Sequence, residues 1–420
     1  MKKSGVILVG MLCLTALLLI AACGQGGPGL QASSDDATIT ALGKNDAPVA
    51  DAGADQGVLV GVAVTLDGSG SYDPEGADLT YLWQLVSVPA GSAAALSNAT
   101  AVNPSFTPDM DGAYEVSLTV NDGSKSSSPD SVVVSAVTFS LIPDTGQTIR
   151  LHNNPVVNGL DADYNINPPA YTDNGDGTVS DLVTGLMWQQ DTTFGLYDPA
   201  ICENLTLAGH DDWRVPSKKE LFSLINHTGP DPVISAIDEN YFIVGAGRYG
   251  IMFSSTTVPG TGTRKIPLRY WRMDQRGELS YGENTLPFAM RCVRGNPYQA
   301  VKVFNDNGDG TVTDIGTGLM WLQDDVLITD VRYDSLVYYC EDLSLAGHDD
   351  WRMPNIKELE SLTVDTLTEP TADTSVFPGI SSSVYLSFTV DPSLTFGVTG
   401  IHFGYGGTLA QTGGNAKCVR

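Results

Sequence analysis

The stretch DNGDGTVSDLVTGLMWQQD at residues 173–191 returns almost letter for letter as DNGDGTVTDIGTGLMWLQD at residues 306–324. In both copies, Asn-Gly-Asp-Gly supplies residues that tolerate a positive φ, and the residues after it alternate as they do in a strand. A β-hairpin is therefore the favoured interpretation of each copy.

The same residues are also compatible with a calcium-binding loop, because acidic and amide side chains alternate with glycine there. The candidate calcium ligands are Asn174, Asp176, Asn305, Asn307 and Asp309. In an EF-hand-like alignment, however, position 12 should hold a bidentate glutamate, and it is Val183 in the first copy and Gly316 in the second. The turn is preferred, and calcium is the one cofactor that the sequence leaves possible.

Two further blocks recur in the same order. CENLTLAGHDDWRVPSKKEL (202–221) corresponds to CEDLSLAGHDDWRMPNIKEL (340–359), and RCVR (291–294) corresponds to KCVR (417–420). The order is kept while the segments between the blocks change in length, which is typical of homologous units with different loops. The sequence therefore predicts tandem repeats.

The repeats also limit the cysteine pairing. Four cysteines lie beyond the N-terminal region: Cys202, Cys292, Cys340 and Cys418. An even number of cysteines in an exported protein indicates disulfides, and four cysteines allow three pairings. Each repeat contains one early and one late cysteine, so the economical pairing joins Cys202 to Cys292. The second bridge then joins Cys340 to Cys418.

The N-terminus has the features of an export signal. MKK is followed by an apolar run that is short for a membrane span, and LIAAC ends at Cys23. This resembles a bacterial lipobox, in which the cysteine is lipidated, and an ordinary cleaved signal peptide is the alternative. We predict a signal peptide at 1–22, a flexible tether at 23–46, and an outer-membrane or cell-surface lipoprotein that contacts the membrane through its lipid only.

Composition bounds the partners. The chain of 420 residues has 42% hydrophobic residues, enough to bury a core, and 49 acidic against 22 basic residues give a formal net charge of −27. Nucleic-acid binding requires lysine and arginine to neutralise phosphates, so a nucleic-acid partner is disfavoured.

The shared blocks contain signals for a scaffold. Ser217 with Glu220, and Asn355 with Glu358, are spaced as capping boxes at helix starts. Trp213 and Trp351 are interpreted as core anchors, and the arginines that follow them as partners of a buried carboxylate or of carbonyls. A metal or catalytic role for His210 and His348 is the alternative, although neither has a second histidine or a cysteine at ligand spacing.

Together these motifs resemble the Lcl C-terminal domain family, over residues 138–296 and 297–420. The family is named for the C-terminal domain of a collagen-like bacterial adhesin and is thought to be similar to C-type lectin-like folds. The resemblance implies two α+β domains, each with a helix that carries the first cysteine, a second helix that opens at PSKKEL or PNIKEL, and a last strand that carries the partner cysteine.

Residues 47–137 form a different module. Short alternating apolar runs separated by Gly, Asp and Pro turns are typical of an all-β sandwich. LDGSGSYDPEG and DGAYEVSLTVNDG resemble a PKD domain, an immunoglobulin-like module of bacterial surface proteins that commonly serves as a spacer. Trp83 is the expected buried tryptophan, and Tyr114 resembles the tyrosine of a tyrosine corner.

The predicted function is adhesion to a glycan or to an extracellular matrix or host polymer. The best candidate contact surface lies in the first repeat, in the basic and aromatic segment 264–284. Its candidate residues are Arg269, Tyr270, Trp271, Arg272, Arg276 and Tyr281. The alternative places Trp271 in the core and the arginines on a solvated strand. The corresponding segment 395–411 is nearly uncharged, which predicts different ligands if both repeats bind.

Two other functions stay open. A structural or assembly protein of the cell envelope would explain the repeats without a small ligand. A cryptic enzyme is less favoured, because the chain has no GxSxG, HExxH, P-loop or Rossmann signature, and no catalytic residue is assigned.

Overall fold

The computed structural model describes residues 45–145, 166–226, 237–243, 252–257, 270–273, 279–282, 288–299, 301–327, 338–367, 370–390, 398–403, 407–411 and 414–420. The predicted signal peptide at 1–22, the predicted lipidation site Cys23 and the predicted tether up to residue 44 lie outside these residues. In the described part, no helix is both long and apolar enough to cross a membrane. The chain is mostly β-strand, and Asp46–Arg420 form one compact unit.

The first domain is an immunoglobulin-like pair of small sheets. Its strands are β1 (Gln56–Leu59), β2 (Val64–Thr65), β3 (Thr80–Ser87), β4 (Ser105–Phe106), β5 (Gly112–Asn121) and β6 (Asp130–Val137). The larger sheet has the order β1-β6-β5-β3, and β1 pairs with β6 in parallel. β2 pairs with β4 in the second sheet.

The core of this domain contains the two aromatic residues that the sequence singled out. Trp83 is buried, and its indole N–H donates to Ala101 O at 3.1 Å. The Tyr114 hydroxyl donates to Met110 O and accepts from Met110 N, both at 3.0 Å. A tyrosine that bonds back to the backbone a few residues upstream is a tyrosine corner, so the interpretation of Tyr114 is confirmed.

The first repeat has two sheets. Its strands are β7 (Tyr171–Asp173), β8 (Thr178–Asp181), β9 (Met187–Gln189), β10 (Thr193–Gly195), β11 (Met252–Thr257), β12 (Tyr270–Met273), β13 (Leu279–Gly282), β14 (Phe288–Met290) and β15 (Val293–Arg294). The sheet orders are β15-β9-β8-β7 and β10-β14-β11-β12-β13. The quoted stretch 173–191 lies in the first of these sheets, because it contains β8, β9 and the turns on either side of β8. It leads directly into β10 of the other sheet.

The second repeat has the same topology. Its strands are β16 (Phe304–Asp306), β17 (Thr311–Asp314), β18 (Met320–Leu322), β19 (Val326–Leu327), β20 (Val384–Val390), β21 (Val398–His402), β22 (Gly407–Gln411) and β23 (Asn415–Ala416). The orders β16-β17-β18 and β19-β23-β20-β21-β22 match those of the first repeat, except that β15 has no counterpart strand among the described residues. In its place, Val419 forms isolated bridges with Trp321 and Arg352. The recurring sequence blocks thus correspond to a recurring fold.

The helices are short. They are α1 (Ala200–Glu203), α2 (Lys218–Ser223) and α3 (Ile356–Ser361), and residues 338–341 form a further helical turn. Both predicted capping boxes are confirmed at the starts of α2 and α3. In each box the side chain of the N-cap residue accepts from the backbone of the third helical residue, whose glutamate accepts from the N-cap backbone. The caps fix where these helices begin, and therefore which side chains they bury.

Both predicted disulfides are present. Cys202 is bonded to Cys292, with Cα atoms 5.4 Å apart, and Cys340 is bonded to Cys418, at 5.5 Å. Cys202 lies in α1 as expected. The expectation that a last strand carries each partner is wrong in detail, because Cys292 lies between β14 and β15 and Cys418 follows β23.

The two repeats share one hydrophobic core. Trp188 and Leu221 of the first repeat belong to the same buried cluster as Trp321 and Leu359 of the second, and α2 packs against α3. Two independent domains would bury these residues in separate cores. The repeats therefore form one pseudo-symmetric pair.

The immunoglobulin-like domain contacts the second repeat, although it precedes the first in sequence. Gly57 of β1 lies so close to Val303 and Ile315 that a Cβ at this position would overlap Val303 Cγ1. Ser140 N, just after the domain, donates to Gly316 O at 2.7 Å, in the turn between β17 and β18. A side chain on residue 57 would require Val303 to shift.

Candidate functional site

The shared motif residues are engaged inside the fold. Arg214 donates to both oxygens of Glu220, at 2.6 and 2.7 Å, and Arg352 binds Glu358 in the same way. Glu220 is fully buried, and Glu358 nearly so. The predicted buried carboxylate is thus the glutamate of each capping box, which ties the segment after the GHDD turn to the helix that follows it.

A second ion pair joins the GHDD turn to the end of each repeat. Arg294 binds Asp212 at 2.7 Å, and Arg420 binds Asp350 at 2.7 Å. The hydrogen bond from Arg294 lowers the pKa of Asp212 below its usual value. His348 lies within this arrangement, with its Nε2 3.5 Å from Arg420 Nη1. Among the residues that the structure describes, no three His, Cys, Asp or Glu side chains form a metal-binding group.

Four of the five candidate calcium ligands lie in hairpin turns, as the preferred interpretation predicted, and Asn305 lies in β16 just before its turn. Asp176 Oδ1 accepts from Thr178 N and Oγ1, at 3.1 and 2.6 Å, and the Asn174 amide donates to Thr178 Oγ1 at 2.8 Å. Asn307 and Asp309 make the same contacts in the second repeat, where the Asn305 amide also donates to Asn307. These contacts hold the turn closed, and calcium binding stays a prediction.

The predicted contact segment falls partly on described strands. Tyr270, Trp271 and Arg272 lie in β12 and Tyr281 in β13, and the register pairs Trp271 with Tyr281. Arg269 and Arg276 lie outside the described residues. β13 lies against β22 of the second repeat, so the segments that differ most between the repeats are neighbours. A binding role for these residues stays a prediction.

Two lysines at corresponding positions cap the helix of the opposite repeat. Lys219 Nζ donates to Thr363 O at 2.6 Å, and also to carbonyl oxygens in the last turn of α3. Lys357 Nζ donates to Ser223 O, the last residue of α2, at 2.9 Å, and to Asp144 O at 3.0 Å. Positive charge at a helix C-terminus is favourable, because it faces the negative end of the helix dipole. Each repeat therefore completes the helix of the other.

A buried ion-pair network lies beside these caps. Lys218 Nζ is 2.8 Å from Glu360 Oε1 and 2.8 Å from Asp365 Oδ1. Burial alone would lower the pKa of Lys218, but the charges of Asp365 and Glu360 outweigh burial and raise it. For Lys219, burial prevails over the attraction of Glu360 and lowers the pKa to about 8.

Sequence inspection did not single out Lys218, Lys219 or Lys357. A signal for them was present, because lysine in the first turn of a helix faces the positive end of the dipole and needs another reason to be there. All three side chains cross to the other repeat, which is that reason.

A cleft of ≈770 Å³ opens beside α2, between the two repeats. It is lined by Tyr197, Pro199, Glu203, Arg214, Val215, Ser217, Lys219, Glu220, Ser255, Pro297, Tyr298, Gln299, Val301, Lys302, Thr363, Val364, Asp365, Thr366, Leu367 and Asp373. The lining residues from Pro297 onward fall within the second repeat, so neither repeat forms this cleft alone. Its volume is in the range of small-molecule sites.

The corresponding place in the second repeat is mostly filled. A cavity of ≈50 Å³ lies beside Arg352, Asn355 and Glu358, and Ile142 and Asp144, which precede β7, line its other side. Beside the first repeat, Tyr298 and Lys302 are among the residues in the corresponding position, and the cleft stays open. The two repeats thus differ at this place.

The described residues form a mostly β, multidomain protein with an immunoglobulin-like domain and two disulfide-bridged repeats. The chain belongs to the Lcl C-terminal domain family, which matches residues 177–294 and 310–420. The K319L-like PKD domain family matches residues 52–136. Both assignments are consistent with the prediction that the chain is not an enzyme. No curated protein matches the chain.

Three solved structures illustrate the similarity. The PKD domain from KIAA 1837 protein is 34% identical, over 22% of this chain and 89% of its own, with a TM-score of 0.19. A nucleoside hydrolase-related hypothetical protein from Saccharophagus degradans is 25% identical at a TM-score of 0.20, over 22% of this chain and 26% of its own. The Yersinia pseudotuberculosis adhesin InvE is 9% identical, over 87% of this chain and 95% of its own, with a TM-score of 0.18. At such TM-scores these structures do not define the function of this chain, which spans about a quarter of the Saccharophagus protein.

Proposed function

We propose that the chain is a lipid-anchored, cell-surface binding protein of the adhesin type, and that the paired repeats bind a glycan of a host or matrix polymer. The lipobox-like LIAAC and the PKD domain support the surface location. We further propose that each repeat is a C-type-lectin-like unit, since each has a disulfide that links an early helical segment to the C-terminal end of the repeat. The binding unit is the pair.

The cleft between the repeats carries this proposal. It is a concave site with described side chains from both repeats, and its lining mixes aromatic, hydroxyl and carboxylate groups. Tyr197 offers a ring face, and its partly buried hydroxyl stays protonated because burial and the Glu203 carboxylate raise its pKa. Glu203 is exposed at the cleft and can accept hydrogen bonds from a ligand.

The charges in the cleft favour an uncharged, hydroxyl-rich ligand. Arg214 is held by Glu220, Lys302 by Asp314 at 3.1 Å, and Lys219 by carbonyl oxygens. Cations already held in this way offer little to a sulfated or phosphorylated chain. Hydroxyl groups can instead use the carboxylates and tyrosines as acceptors and donors. A neutral saccharide fits this chemistry.

The test is a glycan-array and matrix-protein screen with the compact unit Asp46–Arg420, in calcium and in chelator. Leu367, on the cleft wall, and Leu182, which does not line it, are both exposed leucines. Leu367→Arg should fill the cleft and weaken binding at least about tenfold, which is a change of about 1.4 kcal/mol in the free energy of binding. Leu182→Arg is the matched control and should bind like the unchanged protein.

Other outcomes distinguish the remaining hypotheses. If Trp271→Ala abolishes binding and Leu367→Arg does not, the site lies at β12. If chelator abolishes binding, the turns are supported as calcium sites. Failure to bind any glycan or matrix protein would refute the proposal. Capture of another envelope component in its place would favour a structural or assembly role.

A further inference from the structure

The helices α2 and α3 differ at only two positions. Their sequences are KKELFS and IKELES, so that Lys218 corresponds to Ile356 and Phe222 to Glu360. The shared positions hold the capping-box glutamate, the buried leucine and the lysine that caps the opposite helix. Everything that distinguishes the two helices is therefore in these four residues.

The two charged residues meet across the interface. Lys218 Nζ lies 2.8 Å from Glu360 Oε1, and their side chains are 2% and 3% exposed. The two apolar residues, Phe222 and Ile356, are buried in the core that both repeats share. The pair of helices therefore contains one buried ion pair and one apolar pair at positions that pseudo-symmetry relates.

We propose that this exchange makes repeat pairing heterotypic: each helix face is an interaction surface that fits the other repeat and rejects a second copy of its own. In a pairing of two first repeats, Lys218 would face Phe222 twice. In a pairing of two second repeats, Ile356 would face Glu360 twice. In a pairing of two first repeats, each Lys218 would lose both of its carboxylate partners. In a pairing of two second repeats, each Glu360 would lose its 2.8 Å contact with Lys218. It would keep only a more distant lysine, because Lys357 would take the place of Lys219, which lies 3.7 Å away in the native pair. A buried charge that loses its close partner is strongly destabilising.

The native pairing avoids this cost. Lys218 contacts Glu360 and Asp365 and donates to Thr363 Oγ1 at 3.2 Å, and Glu360 Oε2 also lies 3.7 Å from Lys219 Nζ. Reciprocal lysine caps alone would hold like repeats together as well as unlike ones, because Lys219 and Lys357 correspond. The charged pair supplies the difference in affinity on which specificity depends. This inference does not rest on the proposed ligand.

The consequence concerns neighbouring chains. Symmetric helix faces would allow the first repeat of one chain to pair with the first repeat of another, which would link chains together. With heterotypic faces, two chains could associate through these helices only by keeping every unlike pair.

The experiment makes the helices identical in the full-length chain. Lys218→Ile combined with Glu360→Phe gives the sequence IKELFS twice, with the charged pair removed. We expect this variant to form concentration-dependent dimers and larger species, because a repeat of one chain can then pair with either repeat of another. Light scattering and native mass spectrometry would detect these species. A folded variant that stays strictly monomeric at every concentration would overturn the proposal.

A double-mutant cycle covers the case in which that variant does not fold. Lys218→Met and Glu360→Gln, singly and together in the full-length chain, measure how far the two residues depend on each other. Each single change should lower the folding equilibrium constant more in the unchanged chain than in a chain whose partner residue is already altered. The ratio of the two effects should be at least about tenfold. The matched control is Arg294→Met with Asp212→Asn, an exposed pair that should show little coupling. Independent effects of Lys218 and Glu360 would contradict the proposal.

Discussion

Substitution of Glu220 by glutamine tests how far the first repeat depends on its capping box. The Glu220 side chain is fully buried. Its oxygens accept two hydrogen bonds from Arg214, one from Ser217 N at 2.7 Å and one from Tyr298 N at 3.0 Å. This carboxylate thus joins the segment after the GHDD turn, a helix start and the beginning of the second repeat.

Glutamine keeps the shape of the side chain but removes its charge. Its NH₂ group replaces one oxygen, so that an arginine N–H and a backbone N–H then face a donor. Loss of one partner of a buried ion pair costs about 3–5 kcal/mol, and the lower part of that range applies because the Arg214 side chain is 29% exposed and can be hydrated. We expect the free energy of unfolding to fall by about 3 kcal/mol, measured by urea denaturation with the disulfides intact.

Glu358→Gln is the matched change in the second repeat. Arg352 and Glu358 are 8% and 6% exposed, so the arginine left behind gains less hydration than Arg214 does. The loss of stability should therefore be larger, about 4 kcal/mol. A loss below about 1 kcal/mol for Glu220→Gln, or a larger loss there than for Glu358→Gln, would refute the reasoning from burial.

Three further predictions concern other parts of the molecule. Replacing Cys202 and Cys292 together by serine should lower the free energy of unfolding by about 4 kcal/mol, since the bridge spans 90 residues, and a denaturation shift below about 1 kcal/mol would contradict this. The pKa of Lys219 is about 8 in the folded chain against 10.5 for an ordinary lysine, so the unfolded chain binds this proton more tightly. Stability should thus rise by about 2 kcal/mol between pH 8 and pH 10, and Lys219→Met should remove the rise. Gly57→Val should displace Val303, and the backbone amides at this contact should then exchange their hydrogens faster. Amide protection equal to that of the original chain would count against the contact.

Features set by local sequence were predictable. The capping boxes follow from residue spacing alone, because Ser217 and Glu220 must bond to one another's backbone once the helix starts. The disulfides follow from the repeat, which gives each copy one early and one late cysteine. Tyr114 was identifiable for a similar reason, since its bond to Met110 spans only four residues.

The pairing of the repeats was not predictable in this way. The contact between Lys219 and Thr363 spans 144 residues, and no local pattern encodes it. The repeat pattern even pointed elsewhere, because two copies of a domain suggest two separate cores. The docking of the immunoglobulin-like domain on the second repeat is equally long-range, since Gly57 and Val303 are brought together only by the complete fold.

The sequence blocks that the two repeats share serve to stabilise the fold, so a ligand site is to be expected where the repeats differ. The shared blocks supply the ion pairs of Arg214 and Arg352, the caps, the bridges and the turns, and all of these hold the scaffold together. A ligand site built from them would occur twice. The cleft instead occurs beside the first repeat, while the corresponding place is narrowed by Ile142 and Asp144. Binding by this chain is therefore to be sought where its repeats have diverged, and the pairing of unlike helices is what holds those divergent surfaces side by side.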